Sequence, residues 1–180
     1  MQNLARVQAA ISAVGAQGLM IVIDGPAGAG KTTFAAQLAQ SLEDCLVIHM
    51  DDLYEGWNSP LSNELFHRVV TDIIEPFLQK KTLVFATWNW ETSTWNPPAQ
   101  HTPPRCLIIE GVGAGARRIR EVADVSVWLD LDDEAGAVRV INRDGEVSRP
   151  HIDAWLTHQR THFAQESTKL NCAVVLDASE

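Results

Sequence analysis

Short apolar runs of strand length alternate along the chain with segments whose apolar residues recur at helical spacing. The runs cover residues 19–24, 45–50, 106–110, 125–129 and 172–176. Because they lack polar alternation and are separated by helical segments, they predict a parallel sheet covered by helices on both faces. The pattern therefore indicates an α/β fold built on about five core strands, most of them parallel.

Helical periodicity fills the intervals between these strands. The predicted helices cover residues 2–14, 30–42, 61–77, 133–143 and 151–169. We expect the first of them to lie within an N-terminal segment, residues 1–18, that packs beside the sheet.

The segment between the second and third strands is expected to be less regular. Ser59 followed by Pro60 is typical of a helix start, and Pro76 is expected to kink that helix or end it early. Residues 82–90 are predicted to be extended. Residues 92–105 contain two Pro-Pro pairs and are predicted to form an irregular loop.

Length and charge limit the classes of function. The 180 residues are most simply one domain, residues 1–180. With 14 Lys and Arg against 23 Asp and Glu, the net charge of −9 gives no general attraction for nucleic acid or anionic lipid. The chain shows neither a membrane-length apolar run nor a signal-peptide layout. We expect a cytoplasmic protein without a nucleic-acid or membrane partner, and the sequence leaves a homo-oligomer open.

The three cysteines, Cys45, Cys106 and Cys172, each lie in or beside a strand-like run. Their spacing suits neither a zinc site nor a disulfide framework. We therefore predict buried free thiols in a reducing compartment.

One motif carries specific chemistry. Residues 25–32 read GPAGAGKT, the full G-x-x-x-x-G-K-[ST] pattern, between a predicted strand and a predicted helix. Its glycines and inward-pointing N–H groups at a helix N-terminus suit nucleotide phosphates. Lys31 can reach the β- and γ-phosphates, and the Thr32 hydroxyl can ligate Mg²⁺. The residues predicted to contact the nucleotide are Gly25, Pro26, Ala27, Gly28, Ala29, Gly30, Lys31, Thr32 and Thr33.

Further charged residues follow in positions that could serve the same site. Asp51 and Asp52 end the second strand, where either carboxylate could take a proton from an attacking hydroxyl or hold Mg²⁺. Glu110 ends the third strand, as the acid of a Walker B element does. Arg139 and Arg143 share a helix face and could neutralise charge that develops during transfer. A solvated acidic turn and an ordinary charged helix face are the alternative interpretations.

These landmarks, taken in order, resemble the uridine kinase family of P-loop kinases. Besides the phosphate loop, residues 50–54 (MDDLY) are similar to that family's D-[ST]-F-Y segment, and residues 107–111 (LIIEG) to its apolar strand followed by E-G. Residues 127–130 and 139–144 are similar to its V-D strand and its R-x-x-x-R-D lid. The resemblance implies a three-layer P-loop NTPase fold with a small lid over residues 143–150, and ATP and Mg²⁺ as cofactors.

Carried over position by position, the resemblance implies roles for the matching residues. The implied catalytic residues are Lys31, Asp51, Glu110, Arg139 and Arg143, and the implied metal ligands are Thr32, Asp51 and Glu110. Asp51, Tyr54, Asn89 and Trp90 would bind the acceptor. Asn89 stands where the family often has Asp, so the resemblance does not identify uridine as the acceptor. Nearby tryptophans could stack on a flat ring or serve as packing residues.

The sequence thus predicts a phosphotransferase that moves the γ-phosphoryl group of ATP to a hydroxyl of a small-molecule acceptor, with a nucleoside as one candidate. A nucleoside monophosphate kinase is one alternative, although residues 51–66 offer no basic side chain for a phosphorylated acceptor. A regulatory module that binds ATP without an acceptor is another. A GTPase is disfavoured because the chain has no N-K-x-D motif.

Overall fold

The computed structural model describes residues 2–15, 18–57, 60–146 and 149–179. Its strands are β1 (Leu19–Asp24), β2 (Cys45–His49), β3 (Leu83–Phe85), β4 (Trp88–Asn89), β5 (Thr94–Trp95), β6 (Ala99–His101), β7 (Cys106–Glu110), β8 (Val125–Asp130) and β9 (Val174–Asp177). Its α-helices are α1 (Gln2–Val14), α2 (Lys31–Ala39), α3 (Asn63–Arg68), α4 (Glu75–Leu78), α5 (Arg117–Arg120), α6 (Asp133–Asp144), α7 (Arg149–Glu166) and α8 (Thr168–Asn171).

Five parallel strands form the central sheet in the order β2-β7-β1-β8-β9. The α/β fold and the five-stranded sheet predicted from the apolar runs are therefore confirmed. Glu110 at the end of β7 pairs with Ile23 of β1 on one side and with His49 of β2 on the other. This register brings the carboxyl ends of three strands together at one edge, where open α/β sheets bind their ligands.

Helices cover both faces of the sheet and complete three layers. Alternate residues of the central strand point to opposite sides, so that Ile21 packs with α1 and α2 while Met20 and Val22 pack with α3, α4, α5 and α7. All six residues of β1 are buried, which matches the unbroken apolar run in the sequence. The phosphate loop follows β1 directly and is thus fixed at the centre of the fold.

Several helix boundaries differ from the sequence prediction. Helix α2 ends at Ala39 rather than at residue 42. Helix α3 begins at Asn63, and its N-cap is Ser62, whose hydroxyl accepts a hydrogen bond from the Leu65 N–H at 3.2 Å. Pro60 therefore lies in a turn before the helix, and the predicted cap, Ser59, falls outside the described residues.

The helix that contains Pro76 is irregular rather than simply kinked. It widens into π-helical turns over Val69–Ile74 and then closes with the short α4, which ends at Leu78. Because proline has no N–H to donate, the turn before it cannot complete the regular helical bonding. The long helix predicted over residues 151–169 is also divided, since Ser167 adopts a left-handed conformation (φ 50°) between α7 and α8.

The predicted extended segment, residues 82–90, contains β3 and β4, and two short strands inside the predicted loop pair with them as antiparallel ribbons. Strand β3 pairs with β6, and β4 pairs with β5. The prediction of a loop over residues 92–105 was wrong because the Pro-Pro pairs lie between β5 and β6 and after β6, so they flank the strands without interrupting them.

The predicted lid is described only in part. Helix α6 ends at Asp144, one residue beyond the predicted end at residue 143, and Gly145 follows with φ 86°. Residues 147 and 148, inside the predicted lid of residues 143–150, lie outside the described ranges. None of the helices in the described ranges is both long and apolar enough to span a membrane.

Candidate active site

The phosphate loop needs glycine at two positions for space as well as for backbone conformation. Gly25 (φ 149°) lies so close to β8 that a Cβ would collide with the Leu129 carbonyl oxygen, and Gly28 (φ 78°) would collide with the Gly136 carbonyl oxygen. Both φ values are in the region that L side chains rarely adopt. The loop therefore has the tight form in which backbone N–H groups can surround a phosphate.

Lys31 is folded back onto the loop that it follows. Its ammonium group donates hydrogen bonds of 2.8 Å to the carbonyl oxygens of Gly25 and Pro26. Burial lowers the pKa of Lys31, and the nearby carboxylates of Asp24 and Asp51 oppose that effect. The two carbonyl oxygens thus hold the lysine amino group beside the position that phosphate would take.

A cavity of about 480 Å³ opens beside this loop. It brings together most of the side chains that the sequence singled out. Its predicted catalytic and binding residues are Ala27, Gly28, Gly30, Lys31, Thr32, Thr33, Asp51, Tyr54, Trp90, Glu110, Arg139 and Arg143. The cavity is therefore formed jointly by the phosphate loop, α2, β7, α6 and the segments that follow β2 and β4.

Glu110 is the point at which two other side chains meet. Its Oε1 accepts a hydrogen bond of 2.8 Å from the Thr32 hydroxyl and contacts His49 Nδ1 at 2.5 Å. The hydrogen bond to Glu110 raises the pKa of His49, because the imidazolium form is stabilised by the carboxylate. Sequence reasoning missed His49, although its place at the end of β2, in register with Glu110, was a usable signal.

The structure distinguishes the two adjacent aspartates. Asp51 lines the cavity, whereas Asp52 is not among the lining residues. Asp51 is open to solvent by surface area. The walls of the cleft nevertheless remove enough water that desolvation, opposed by Lys31, raises its pKa. A carboxylate with a raised pKa is better suited to accept a proton than an ordinary surface aspartate.

The predicted acceptor residues do not all reach the cavity. Tyr54 lines the cavity with its ring, because its buried hydroxyl donates a 2.6 Å hydrogen bond to the Val112 carbonyl oxygen. Trp90 also lines it, with its Nε1 bonded to the Asp51 carbonyl oxygen at 3.0 Å. Asn89 is not among the lining residues. Its Oδ1 accepts from the N–H groups of residues 91 and 92 in the β4–β5 turn.

Aromatic rings form one corner of the cavity. Trp57 lies 5.1 Å from Trp90 and stacks on His151 at the same centroid distance. Trp155 lies 6.2 Å from Trp57 and 5.2 Å from Tyr54. Trp155 is buried and also reaches the cavity wall.

Arg139 and Arg143, the two predicted lid arginines, lie on the phosphate-loop side of the cavity. Arg139 donates to the Ala178 carbonyl oxygen at 3.0 Å and to that of Gly28 at 3.4 Å. Arg143 forms a two-point ion pair with the neighbouring Asp144 at 2.6 and 2.8 Å. Both guanidinium groups are therefore at the cavity, but protein groups occupy part of their bonding capacity.

Oxygen atoms are the donors that this site could offer to a metal ion. Thr32, Asp51 and Glu110 all line the cavity, and the first and last are in direct contact. Within the described ranges, no group of three or more His, Cys, Asp or Glu residues could hold a metal by itself. A hydroxyl and one or two carboxylates fit Mg²⁺, which proteins usually hold together with substrate phosphates and water.

Comparison with known proteins bears on the family resemblance. No family model matches the sequence. Over 141 residues the chain is 28% identical to a uridine kinase of Lactiplantibacillus plantarum, covering 70% of this chain and 68% of that protein. This relative confirms the resemblance to the uridine kinase family that the motifs indicated.

Solved structures agree with the fold. A structure described as a possible uridine kinase from Bacillus stearothermophilus matches with a TM-score of 0.71 at 22% identity, covering 98% of both chains. Another from Silicibacter sp. TM1040, described as a candidate fructose transport system kinase, matches with a TM-score of 0.61 at 18% identity, covering 96% of this chain and 98% of that one. At these identities the likeness shows a shared three-layer α/β fold.

Proposed function

We propose that this chain, which is similar in sequence to a uridine kinase, is a single-domain kinase that transfers the γ-phosphoryl group of ATP to a hydroxyl of a small-molecule acceptor. One observation carries the proposal. Lys31 and Thr32 of the phosphate loop share a single cavity with the carboxylates of Asp51 and Glu110 and with the guanidinium group of Arg143. Phosphoryl transfer requires little else, because positioning and charge stabilisation supply most of its catalysis.

Each of these groups has a role that follows from its position. The loop N–H groups bind the phosphates of ATP, and Lys31 exchanges its two carbonyl partners for phosphate oxygens. Arg139 and Arg143 approach from α6 and balance the negative charge on the transferred group. When bound, Mg²⁺ neutralises charge on the phosphate oxygens, and the Thr32 hydroxyl and the Glu110 carboxylate are suited to hold it directly or through water.

Asp51 is the proposed base. It takes the proton of the acceptor hydroxyl as the oxygen forms its bond to the γ-phosphorus, and ADP leaves with the electrons of the broken bond. Desolvation raises the pKa of Asp51 and of Asp52 alike, so the place of Asp51 in the cavity lining is what favours it. Asp52, half-exposed and outside the cavity lining, is the weaker candidate.

The acceptor end of the cavity favours an acceptor without a phosphate group. Its walls are the rings of Tyr54, Trp57, Trp90 and Trp155 together with the Asp51 carboxylate, and the cationic lining residues belong to α2 and α6. Arg68 is the first arginine or lysine after residues 51–66 in the sequence. Its guanidinium group donates a hydrogen bond to the Leu53 carbonyl oxygen and lies over the Trp95 ring. A nucleoside monophosphate would thus meet a carboxylate and aromatic rings without a dedicated cation.

The cysteines also bear on the predicted compartment. All three are free thiols, but only Cys106 is buried as predicted, whereas Cys45 and Cys172 are partly exposed. A cytoplasmic location, where thiols stay reduced and ATP is abundant, is part of the proposal.

An ADP-release screen tests this function. Purified protein with ATP and Mg²⁺ is supplied in turn with nucleosides, nucleoside monophosphates, sugars and other small alcohols. We expect ADP release that depends on an unphosphorylated acceptor, together with a phosphorylated product of matching mass. Nucleotide binding without acceptor-dependent ADP release would favour the regulatory module, and a response confined to monophosphates would favour a monophosphate kinase.

A further inference from the structure

We propose that Gln159 is a positioning residue that sets the shape of the phosphate loop and joins the loop to the helix that carries the lid arginines. The inference rests on the proposed function, because it assigns a role within the same nucleotide site. Gln159 belongs to α7 and does not line the cavity. No motif in the sequence marks it.

The contacts of Gln159 connect three separate parts of the fold. The side chain is 0% exposed. Its Oε1 accepts a 2.9 Å hydrogen bond from the backbone N–H of Ala27 in the loop. Its Nε2 donates a 3.0 Å hydrogen bond to Asp133 Oδ1 at the start of α6. One buried amide thus bonds the loop with its acceptor atom and α6 with its donor atom.

Helix α6 contacts the same loop residue at its carbonyl group. A Cβ on Gly136 would collide with the Ala27 carbonyl oxygen, so the helix backbone lies directly against it. Three residues further along α6, Arg139 donates to the Gly28 carbonyl oxygen. Ala27 is therefore held at its N–H by Gln159 and at its carbonyl group by α6.

This arrangement matters because a phosphate loop binds through the directions of its N–H groups. The φ and ψ angles of Ala27 set the angle between the peptide unit that carries the Ala27 N–H and the one that carries the Gly28 N–H, so contacts at both the N–H and the carbonyl group of Ala27 restrict that angle. A part-buried N–H that loses its partner is costly, and the loop would rearrange to relieve it. The Gln159 Oε1 atom avoids this cost by accepting the hydrogen bond, and it can do so only while the Ala27 N–H points toward α7 as it does in this structure.

Replacement by leucine gives the first test. Gln159→Leu has similar size but cannot accept the Ala27 N–H. We expect the dissociation constant for ATP–Mg²⁺, measured by calorimetry, to rise by about tenfold, the effect of losing one part-buried hydrogen bond. Gln165→Leu is the matched control, since Gln165 lies on the same helix with an exposed side chain. It should bind ATP as the wild type does.

Exchange of donor and acceptor gives a sharper test. Gln159→Glu keeps the acceptor for Ala27 but places a carboxylate against Asp133, which also pairs with Arg160. Adding Asp133→Asn supplies an amide that can donate to the new carboxylate. We expect Gln159→Glu to weaken ATP binding and the double variant to recover most of the loss. General damage to packing would not be repaired by this second change.

Amide hydrogen exchange reports on the loop without any ligand. In Gln159→Leu, the Ala27 amide should exchange faster while the amide of Ile21 in the central strand stays protected. Unchanged ATP affinity in Gln159→Leu, or a double variant no better than Gln159→Glu, would overturn the inference and leave the proposed function intact. A wild-type protein that does not bind ATP would reject both.

Discussion

The Thr32 hydroxyl donates a 2.8 Å hydrogen bond to Oε1 of Glu110, which joins the first turn of the phosphate-loop helix to the end of the neighbouring strand. The same oxygen contacts His49 Nδ1 at 2.5 Å. One carboxylate oxygen at the proposed metal end of the site therefore contacts two other side chains. Such mutual contacts fix the orientation of the groups, and a fixed site reduces the reorganisation that catalysis requires.

The contact with Glu110 should be visible in the titration of His49. The pKa of His49 is raised chiefly by its hydrogen bond to Glu110. In Glu110→Gln, we expect that pKa to fall, as followed by NMR of the imidazole. Asp52→Asn is the control and should lower it less, because Asp52 acts only through its charge. An unshifted His49 in Glu110→Gln would contradict the pairing. Since the folded-state pKa is raised, stability from this pair is present at low pH and is lost as pH rises through the raised value.

Replacement of Asp51 tests the assignment of the base. In Asp51→Asn, we expect kcat to fall by about 10²- to 10⁴-fold, the usual contribution of a general base, with ATP affinity largely kept. Asp52→Asn provides the comparison on the adjacent residue and should cost far less. Equal losses in the two variants, or no loss in Asp51→Asn, would refute the assignment.

Asp24 gives a prediction about stability and pH. Its fully buried carboxylate accepts hydrogen bonds from the N–H groups of Gly25, Gly113 and Gly115, yet burial raises its pKa to about 6. The folded state therefore holds this proton more tightly than the unfolded chain, and stability falls as pH rises from about 4 to about 6.

The Asp24→Asn variant isolates this effect because it cannot titrate. Relative to the wild type, its free energy of unfolding should increase between pH 4 and pH 7 by up to about 3 kcal/mol. Chemical denaturation of both proteins across this range measures the difference. A difference that does not change with pH would show that Asp24 keeps an ordinary pKa.

The close approach of α6 to the phosphate loop predicts an effect of a single methyl group. Gly136→Ala would push against the Ala27 carbonyl oxygen, a backbone atom that cannot turn aside. We expect a loss of about 1–3 kcal/mol in the free energy of unfolding, as for other overpacked sites, and weaker ATP binding. Val138→Ala, at an exposed position on the same helix, should change the free energy of unfolding and the ATP affinity only slightly. A Gly136→Ala protein as stable as the wild type would show that α6 can move away freely.

The sequence was informative where function depends on local pattern. The apolar runs predicted the five parallel strands, and the GPAGAGKT motif with the acids at strand ends predicted which side chains meet in the cavity. The resemblance placed Asn89 at the acceptor, but the hairpin turn uses its side chain locally. That outcome depends on the pairing of β4 with β5, which the neighbouring prolines obscured.

Contacts between residues that are far apart in the sequence were not predicted. His49 meets Glu110 across 61 positions, and Gln159 meets Ala27 across 132. Their roles depend on strand register and helix docking, neither of which leaves a periodic or compositional signal. A single histidine or glutamine in a sequence does not indicate which distant group it will contact in the folded protein.

The central claim is that this cavity transfers a phosphoryl group from ATP to an acceptor hydroxyl. Its most direct test is acceptor-dependent ADP formation by the wild type, Lys31→Ala and Lys81→Ala, the last removing an exposed lysine outside the cavity. We expect the wild type and Lys81→Ala to form ADP and phosphorylated acceptor in equal amounts, and Lys31→Ala to form neither above background. Undiminished transfer by Lys31→Ala would contradict the account.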